Sequence, residues 1–374
     1  MTFNRYTLSD LVTIKYGKNQ SKVVSDKGDI PIYGTGGLMG FATEYLYDKP
    51  SVLIGRKGTI GKVKYVDHPF WTVDTLFYTI VNTERVRPKY LYYLMSLIDL
   101  NNYNEGTTIP SLRTETLNRL EFNIPSLEDQ DMVLSCITPI DEKIKINNGI
   151  NNNLFDQAVT LFNNKLETTE DISSTLLGNI ADVKGGKRLP KGKNLTTEPT
   201  SHPYIRVRDL NDAIFASLDS NYEYVDEETQ KTISRYIVSA GDVLISIVGT
   251  IGLTAIVDNT LEAANLTENC VKLTNLKYAS PEYLLLYLRS NAGQEAIAKS
   301  TVGAVQLKLP LKNIQALPVP LLNSKELTSL NEILAPIFAK ISNNVIENRK
   351  LIGLREAILP KLLSGELDVS SIEI

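Results

Sequence analysis

The amino-acid sequence predicts an α+β protein in which two similar mixed α/β domains are separated by two long helices. These helices are expected to pack as an antiparallel coiled coil with an internal pseudo-two-fold axis. Two observations predict this fold class. Short segments recur in the same order in both halves of the chain. One long segment in each half also has apolar residues at the alternating four- and three-residue spacing of a coiled coil.

The internal repeat consists of five pairs of matching segments in collinear order. The offset within a pair grows from 169 residues at the first pair to 197 at the last. Most of this growth comes from about twenty additional residues in the second copy, around 211–230. Five collinear matches rarely arise by chance, so the repeat is a property of the fold. The pairs are 8–18 with 177–187, 51–63 with 242–254, 87–94 with 280–288, 124–125 with 319–320, and 143–154 with 340–351.

Each copy divides into two parts with different patterns. The first part has short alternating apolar runs between glycines and prolines, which indicate strands and turns, and one short helix that starts with proline. The second part has helical periodicity, and in the second copy Gly365 is placed as a C-cap. The predicted boundaries are a first domain at 1–125, a first long helix at 126–166, a second domain at 173–322, a second long helix at 323–365 and a C-terminal tail at 366–374.

Two asparagines occupy matching seam positions in each long helix, Asn147 and Asn151 in the first copy and Asn344 and Asn348 in the second. A buried seam asparagine lowers stability but fixes register, because it must find a hydrogen-bonding partner. Antiparallel packing would pair Asn147 with Asn348 and Asn151 with Asn344. It is favoured because a whole domain joins the helices and pseudo-symmetric halves tend to close on a two-fold axis. Two alternatives remain open: a parallel pairing, and packing of each helix on its own domain.

Composition narrows the class of protein. The 374 residues are 43% hydrophobic and 22% charged, which is ordinary for a globular protein. No signal-like apolar stretch begins the sequence, and no apolar run approaches the roughly 18 residues of a membrane span, so we expect a cytoplasmic location. With two cysteines and two histidines at unrelated spacings, we expect neither a metal site nor a catalytic residue.

The charge is distributed unevenly along the chain. Residues 1–125 carry 15 basic and 12 acidic side chains, whereas residues 126–172 carry 3 and 9. The net charge of −4 therefore comes mainly from the first long helix and the linker after it, which favours a protein partner there. In the two domains, any contact with phosphate has to come from local basic patches.

Several stretches resemble the specificity subunits of Type I restriction-modification systems. They are the openings LSDLVTIKYGK and LGNIADVKGGK, the stretch IPIYGTGG (30–37) and, most specifically, LREAILPKLLSGEL (354–367). The resemblance covers essentially the whole chain. It implies a non-catalytic subunit whose two target-recognition domains, 1–125 and 173–322, each read one half of a bipartite site in double-stranded DNA.

The same resemblance implies a set of partners. The long helices would set the spacer between half-sites and dock two modification (methyltransferase) subunits. Restriction (nuclease/translocase) subunits would join through the assembled complex. S-adenosylmethionine, ATP and magnesium are expected on those partner subunits and no cofactor on this chain. The sequence departs from the family where the first helix lacks LPKLLSG and where EDQ (128–130) becomes NSKE (323–326), so docking of the two modification subunits is expected to differ.

Loops that combine glycine with hydrogen-bond donors are the candidate DNA contacts. Arginine and lysine can read guanine, glutamine can read adenine, and hydroxyls and amides suit phosphate. Because the frame of the two domains is shared while these loops differ, an asymmetric bipartite target is expected. The candidates in the first domain are Lys18, Tyr33, Thr35, Gly36, Gly37, Arg56, Lys57, Thr59, Thr107, Thr108, Ser111 and Arg113. Those in the second domain are Lys187, Arg188, Arg206, Arg208, Asp209, Ser246, Thr250, Gln306 and Lys308.

Two other classes of protein remain open. An enzyme is suggested by the glycine-rich GTGGLMG (34–40), but its spacing differs from a dinucleotide loop and no βαβ pattern follows it. The sequence also contains no Walker motif and no amino-methyltransferase motif of the Asn-Pro-Pro-Tyr type. A coiled-coil adaptor that binds only protein would explain the helices and the low net charge. It would not explain paired domains with divergent loops.

Overall fold

The computed structural model describes residues 1–211 and 213–367. The chain divides into two compact units. Unit 1 contains Met1–Lys143 together with the described residues from Leu351 onward, and unit 2 is Ile144–Lys350. Of the predicted tail at 366–374, residues 368–374 lie outside the described residues.

Unit 1 combines three small sheets with short helices. One sheet has the strand order β2-β8-β5-β6, another has the order β4-β3-β7, and β1 pairs with β9 in a third. The elements are β1 (Asn4–Thr7), α1 (Leu8–Leu11), β2 (Val12–Tyr16), β3 (Ile30–Gly34), β4 (Gly37–Ala42), β5 (Ser51–Gly55), β6 (Val63–Val66), β7 (Trp71–Thr72), β8 (Leu76–Val81), α2 (Pro88–Ser96), α3 (Thr114–Asn118), β9 (Glu121–Ile124) and the long helix α4 (Leu127–Thr168), which continues into unit 2.

Unit 2 repeats this plan with additions. Its sheets have the orders β11-β18-β15-β16-β13 and β14-β12-β17, and β10 pairs with β19. The elements are β10 (Ser173–Leu176), α5 (Leu177–Ile180), β11 (Asp182–Gly185), β12 (Pro203–Ile205), β13 (Phe215–Ala216), β14 (Glu223–Tyr224), α6 (Glu227–Ile233), β15 (Val243–Ser246), β16 (Thr254–Val257), β17 (Asn265–Leu266), β18 (Cys270–Thr274), α7 (Pro281–Arg289), α8 (Asn291–Ser300), α9 (Leu311–Gln315), β19 (Pro318–Leu321) and the second long helix α10 (Ser324–Ser364), whose last part belongs to unit 1.

The strand orders confirm the predicted internal repeat. The order β2-β8-β5-β6 in unit 1 corresponds to β11-β18-β15-β16 in unit 2, and the terminal pair β1-β9 corresponds to β10-β19. The additional residues around 211–230 supply two edge strands. β13 pairs in parallel with β16, and β14 pairs with β12 in the place that β4 has beside β3. The predicted fold class, with two similar mixed α/β domains and two long helices, is confirmed.

Apolar periodicity explains where the short helices pack. In α2, proline occupies the first turn, where its missing N–H removes no hydrogen bond, and the buried residues are Tyr90, Leu91, Tyr93 and Met95. They belong to a buried cluster that also contains residues from both long helices, among them Val133 and Leu362. The core of unit 1 therefore includes the last turns of α10. In unit 2, α7 has the same role, and Tyr283 packs edge-on against Phe162 of α4 at a ring-centroid distance of 5.1 Å.

The two long helices are each continuous over 42 and 41 residues, so neither Pro139 nor Pro336 breaks its helix. The helices pair antiparallel inside unit 2. The side-chain amide of Asn147 donates to the carbonyl oxygen of Asn348 at 2.9 Å, and that of Asn344 donates to Asn151 at 2.7 Å. The parallel alternative, with Asn147 beside Asn344, is therefore wrong.

These four asparagines are buried, with at most 7% of each exposed. Asn348 also donates to Asn148 at 2.8 Å, and Asn147 donates to Glu347 at 2.8 Å. Each pair of facing asparagines is therefore mutually dependent. If one amide loses its partner, the buried group that remains unpaired destabilises the fold by its desolvation energy.

The end of α10 is anchored in unit 1 by a polar contact with the start of α4. The Arg355 guanidinium donates to the Asp141 carboxylate at 2.7 Å, and the Tyr93 hydroxyl of α2 donates to the same carboxylate at 2.5 Å. Arg355 occupies the seam position that the apolar Ala158 has in the other helix. An ion pair thus takes the place of an apolar layer at this position.

Gln130, the glutamine of the EDQ sequence, forms hydrogen bonds with backbone groups inside unit 1. Gln130 is fully buried, its carbonyl oxygen accepts from the Arg87 amide at 2.8 Å, and its amide donates to the carbonyl oxygens of Arg85 and Pro125. In the second copy the equivalent residue is Leu327, which belongs to the apolar core of unit 2. The EDQ departure therefore reflects a different way of fastening the helix to each unit.

We expect the Gln130→Leu substitution to lower the free energy of unfolding by about 2 kcal/mol, because it leaves one buried and two partly buried backbone groups without this partner. Urea denaturation of the full chain measures this change. The control is Glu142→Leu at an exposed position of the same helix, which should change stability little. Equal stability of Gln130→Leu and wild type would contradict the proposed fastening role.

The asparagine pairs predict a strong energetic coupling. Asn147→Leu and Asn348→Leu should each destabilise the protein, whereas the double variant should recover stability, because two leucines restore an apolar layer. A double-mutant cycle in urea should give a coupling energy of roughly 1–3 kcal/mol. Additive effects of the two substitutions would show that these side chains do not depend on each other.

Candidate nucleic-acid interface

Three of the predicted contact segments of unit 1 converge on one loop, residues 72–75, here called central loop 1. The Lys18 amide donates to the Thr72 carbonyl oxygen at 2.8 Å, and the Val73 amide donates to the Tyr33 carbonyl oxygen at 3.0 Å. The Arg56 amide donates to the Thr75 carbonyl oxygen at 2.8 Å. The fold thus brings together segments that are distant in sequence.

Unit 2 contains the same arrangement around residues 266–269, here called central loop 2. The Lys187 amide donates to Leu266 at 2.8 Å, the Thr267 amide donates to Ile205 at 3.0 Å, and the Ile247 amide donates to Asn269 at 2.8 Å. Each of these bonds has its counterpart in unit 1. The two candidate interfaces therefore share a backbone frame.

A second loop packs beside each central loop. In unit 1, Lys57 and Ser111 form a β-bridge, and the Leu112 amide donates to the Arg56 carbonyl oxygen at 2.9 Å. In unit 2, Val248 bridges Lys308, and the Leu309 amide donates to Ile247 at 3.0 Å.

We refer to residues 106–112 and 303–309 as tip loops 1 and 2. Both begin with glycine, because a Cβ there would lie 1.9 Å from the Ile109 carbonyl oxygen or 2.3 Å from that of Gln306. The residues that follow are exposed: Thr107, Thr108 and Ile109 in tip loop 1, and Ala304, Val305 and Gln306 in tip loop 2.

Three predicted contact residues have partners inside the fold. Tyr33 is 7% exposed, and its hydroxyl lies 3.0 Å from Nε2 of His68. Ser246 is fully buried, with its hydroxyl donating to the Thr250 carbonyl oxygen at 2.6 Å. Asp209 accepts from the Arg206 amide at 2.7 Å, and burial raises the pKa of its carboxyl to about 6. These side chains shape the loops from within.

The predicted arginines have internal acceptors. The Arg56 guanidinium donates to the Asp74 carbonyl oxygen at 2.7 Å and lies over the Tyr16 ring. The others pair with carboxylates: Arg113 with Glu105 at 3.1 Å, Arg188 with Glu268 at 2.6 Å, Arg206 with Glu223, and Arg208 with Asp209 at 3.3 Å and Glu223 at 3.5 Å. By contrast, Lys18, Lys57, Lys187 and Lys308 are exposed, and no carboxylate of residues 1–211 or 213–367 forms an ion pair with them.

The glycine-rich stretch of unit 1 is the turn of a hairpin. Thr35 and Gly36 connect β3 to β4, and Gly37 has a φ of +116°, which favours glycine. A strand follows this turn instead of the helix N-terminus that cradles phosphate in a dinucleotide loop. Leu38 and Met39, next to the turn, are 57% and 58% exposed.

Within the described part of the chain, no group of three or more His, Cys, Asp or Glu residues is placed to hold a metal ion. None of the described helices is long and apolar enough to cross a membrane.

The central loops were missed in the sequence, although a signal was present. Central loop 1 has Asp74 where central loop 2 has Glu268, at an offset of 194 that is close to the offsets of 191 and 193 at the neighbouring pairs of the repeat. The strands before the loops, β7 and β17, have two residues each, so no periodicity marks them. The partner carboxylate Glu223 was missed as well, because it lies in the additional segment, whose sequence matches none of the first copy.

Comparison with known proteins finds specificity subunits of Type I restriction systems that are similar over most of the chain. The Type I restriction enzyme MjaIX specificity subunit of Methanocaldococcus jannaschii is 22% identical over 350 residues, covering 87% of this chain and 80% of that protein. The HindI specificity subunit of Haemophilus influenzae is 22% identical over 393 residues, covering 82% and 84%. The solved S subunit of a Type-I restriction-modification system from M. genitalium shares the fold, with a TM-score of 0.58 at 17% identity over 97% of this chain and 96% of that one.

The family model of the Type I restriction modification DNA specificity domain matches most of the sequence, at residues 2–155 and 170–354. The two matched segments coincide with the two copies of the internal repeat, and each contains one central loop and the turn beside it. With this match over far more than half of its length, the chain belongs to the Type I restriction modification DNA specificity family.

Proposed function

We propose that each unit reads one half of an asymmetric bipartite DNA site on behalf of a Type I restriction-modification complex. The observation that carries this proposal is the pair of equivalent loop clusters, which share a backbone frame and differ in the side chains they expose. Tip loop 1 exposes Thr107 and Thr108, whereas tip loop 2 exposes Val305 and Gln306. Hydroxyl and amide groups can bond base edges or phosphates, and aliphatic groups can contact the thymine methyl.

The long helices support a second part of the proposal, that they set the spacer between half-sites. Both helices are divided between the units, at Lys143 in α4 and Lys350 in α10. A change in helix length would therefore act on both recognition units at once. The acidic surface of the first helix and its linker suits docking of modification subunits, of which we propose two, and restriction subunits would join through the assembled complex.

The chain itself is proposed to be non-catalytic and to hold no cofactor. S-adenosylmethionine, ATP and magnesium would be bound by the partner subunits, which carry out methyl transfer and cleavage. The proposed site of action is the cytoplasm, where the host DNA lies. The adaptor alternative is not favoured, because a scaffold that binds only protein would not need two loop clusters with one frame and different exposed residues.

A binding assay tests the function directly. The chain, assembled with its modification subunit, is incubated with a random pool of duplexes, and the retained sequences are read after several rounds of selection. Two short motifs at a fixed distance are expected. Retention without any sequence preference would favour the adaptor.

We expect Arg56→Ala combined with Lys57→Ala to change the bases selected at one half-site and to leave the other half-site intact. These residues lie in the turn beside central loop 1 and have no basic counterpart in unit 2, where Ile247 and Val248 take their places. Selection from random duplexes measures both half-sites in one experiment. Arg119→Ala, at an exposed position after α3, is the control. Equal loss at both half-sites would contradict separate reading.

Lengthening the helices should lengthen the spacer. Insertion of seven residues after Lys143 and seven after Lys350 adds two turns, about 10 Å, which corresponds to roughly three base pairs of duplex. Methylation sequencing of host DNA measures the spacer of the modified sites. A seven-residue insertion after Ser220, in an exposed turn of unit 2, is the control and should leave the spacer unchanged. An unchanged spacer in the helix variant would show that the helices are not the ruler.

A further inference from the structure

In the candidate interface of unit 2, the predicted arginines and the predicted lysines differ in whether they have a carboxylate partner. In unit 2 the three predicted arginines, Arg188, Arg206 and Arg208, all pair with carboxylates, whereas the exposed Lys187 and Lys308 have no carboxylate partner in the part of the chain that the structure describes. The partner carboxylates are Glu268, Glu223 and Asp209. Asp209 also accepts a hydrogen bond from the Arg206 amide, and Glu268 accepts one from the Thr267 hydroxyl.

Glu268 lies in central loop 2 and pairs with Arg188, an exposed arginine. The Arg188 side chain is 80% exposed, and its Nε lies 2.6 Å from the Glu268 carboxylate. An exposed ion pair of this kind contributes at most about 1 kcal/mol to stability. The contact can therefore be exchanged for another anion at low cost. The ion pair also holds the Arg188 guanidinium against central loop 2 and lowers the positive electrostatic potential at this surface.

Glu223 serves two arginines at once. Its carboxylate pairs with Nη1 of Arg206 and lies 3.5 Å from Nη2 of Arg208. Arg206 is more enclosed, with 28% of its side chain exposed, and its Nε and Nη2 atoms are buried without a hydrogen-bond partner in the described structure. The carboxylate thus satisfies one of the three guanidinium nitrogens. A guanidinium favours two parallel bonds to a carboxylate or a phosphate, so this one is only partly engaged.

We propose that Glu223 and Glu268 are internal substitutes for DNA phosphate. They stay paired with Arg188, Arg206 and Arg208 until correctly bound DNA displaces them, and so weaken binding to DNA of any other sequence. The inference rests on the proposed function, since it assumes that unit 2 faces DNA. It gives these two glutamates a role in specificity, because specificity is the ratio of affinities for target and non-target DNA.

The physical basis is the exchange of one anion for another. A phosphate that takes an arginine from solvent releases a counterion, which contributes about 0.9 to the slope of log affinity against log salt. A phosphate that takes an arginine from Glu268 gains less, because it must also break an ion pair and leave a carboxylate facing DNA. Lys187 and Lys308 lack a carboxylate partner, so they would bind phosphate without first breaking an ion pair. This division explains how an interface with few net positive charges can still contact a polyanion.

The test measures non-specific binding of the full chain to a random-sequence 40-base-pair duplex by fluorescence anisotropy, at salt concentrations from 50 to 200 mM. We expect Glu268→Gln to raise affinity several-fold at low salt and to steepen the salt slope by about 0.9, for one released arginine. Glu223→Gln should steepen it by about 0.9, for Arg206, because Arg208 keeps its pair with Asp209. Thermal melting checks that each variant is folded, and Glu268→Gln, at a surface pair, keeps the test valid if Glu223→Gln is unstable.

Two controls separate arginine release from a simple change of net charge. Glu198→Gln removes the same charge from an exposed position of unit 2 that has no arginine partner in the described structure, and it should leave the slope unchanged. The double variant Glu268→Gln with Arg188→Ala should return to the wild-type slope. The proposal is overturned if Glu198→Gln and Glu268→Gln have equal effects, or if the double variant keeps the steeper slope. Failure of the proposed function would look different: the wild-type chain with its modification subunit would select no sequence at all.

Discussion

The antiparallel pairing of α4 and α10 is the constraint on which both recognition units depend. Unit 1 buries Leu359, Leu362 and Leu363 of α10 beside its own α2, and unit 2 buries Ala158 and Phe162 of α4 beside α7. A shift of one helix along the other would withdraw these side chains from both cores. The asparagine pairs oppose such a shift, because a displaced amide would meet apolar side chains and lose its hydrogen bond.

The shared frame and the divergent loops have different physical origins. The frame comes from backbone hydrogen bonds to the central loops, which require strand geometry and glycines but few particular side chains. The residues that project from the frame are free to differ, and Thr107 and Val305 show how far they do. A recognition unit built in this way can change what it exposes without changing its core. In unit 2, the carboxylates of Asp209, Glu223 and Glu268 lie within the candidate interface and pair with its arginines.

The sequence was sufficient for the architecture because its signals were long or repeated. Heptad spacing and paired asparagines predicted the helices, and the pseudo-two-fold argument predicted that Asn147 would face Asn348. The candidate site was less accessible, because its geometry depends on contacts between distant residues. Arg188 and Glu268 are separated by 80 positions, and nothing local indicates that they pair. Likewise, no pattern around Ser246 shows that its hydroxyl closes a turn, and Gln130 resembled a docking residue until its buried bonds were seen.

The division of the helices also bears on the order in which the chain can fold during synthesis. Unit 2 is one continuous stretch, Ile144–Lys350, so all of its core residues have been made when Lys350 leaves the ribosome. Unit 1 contains Met1–Lys143, yet its core includes Leu359 and Leu362, which are translated after all of unit 2. Domains usually complete folding in the order of synthesis, beginning at the N-terminus. Here unit 2 can complete its core first, because the core of unit 1 lacks Leu359 and Leu362 until they have been synthesised.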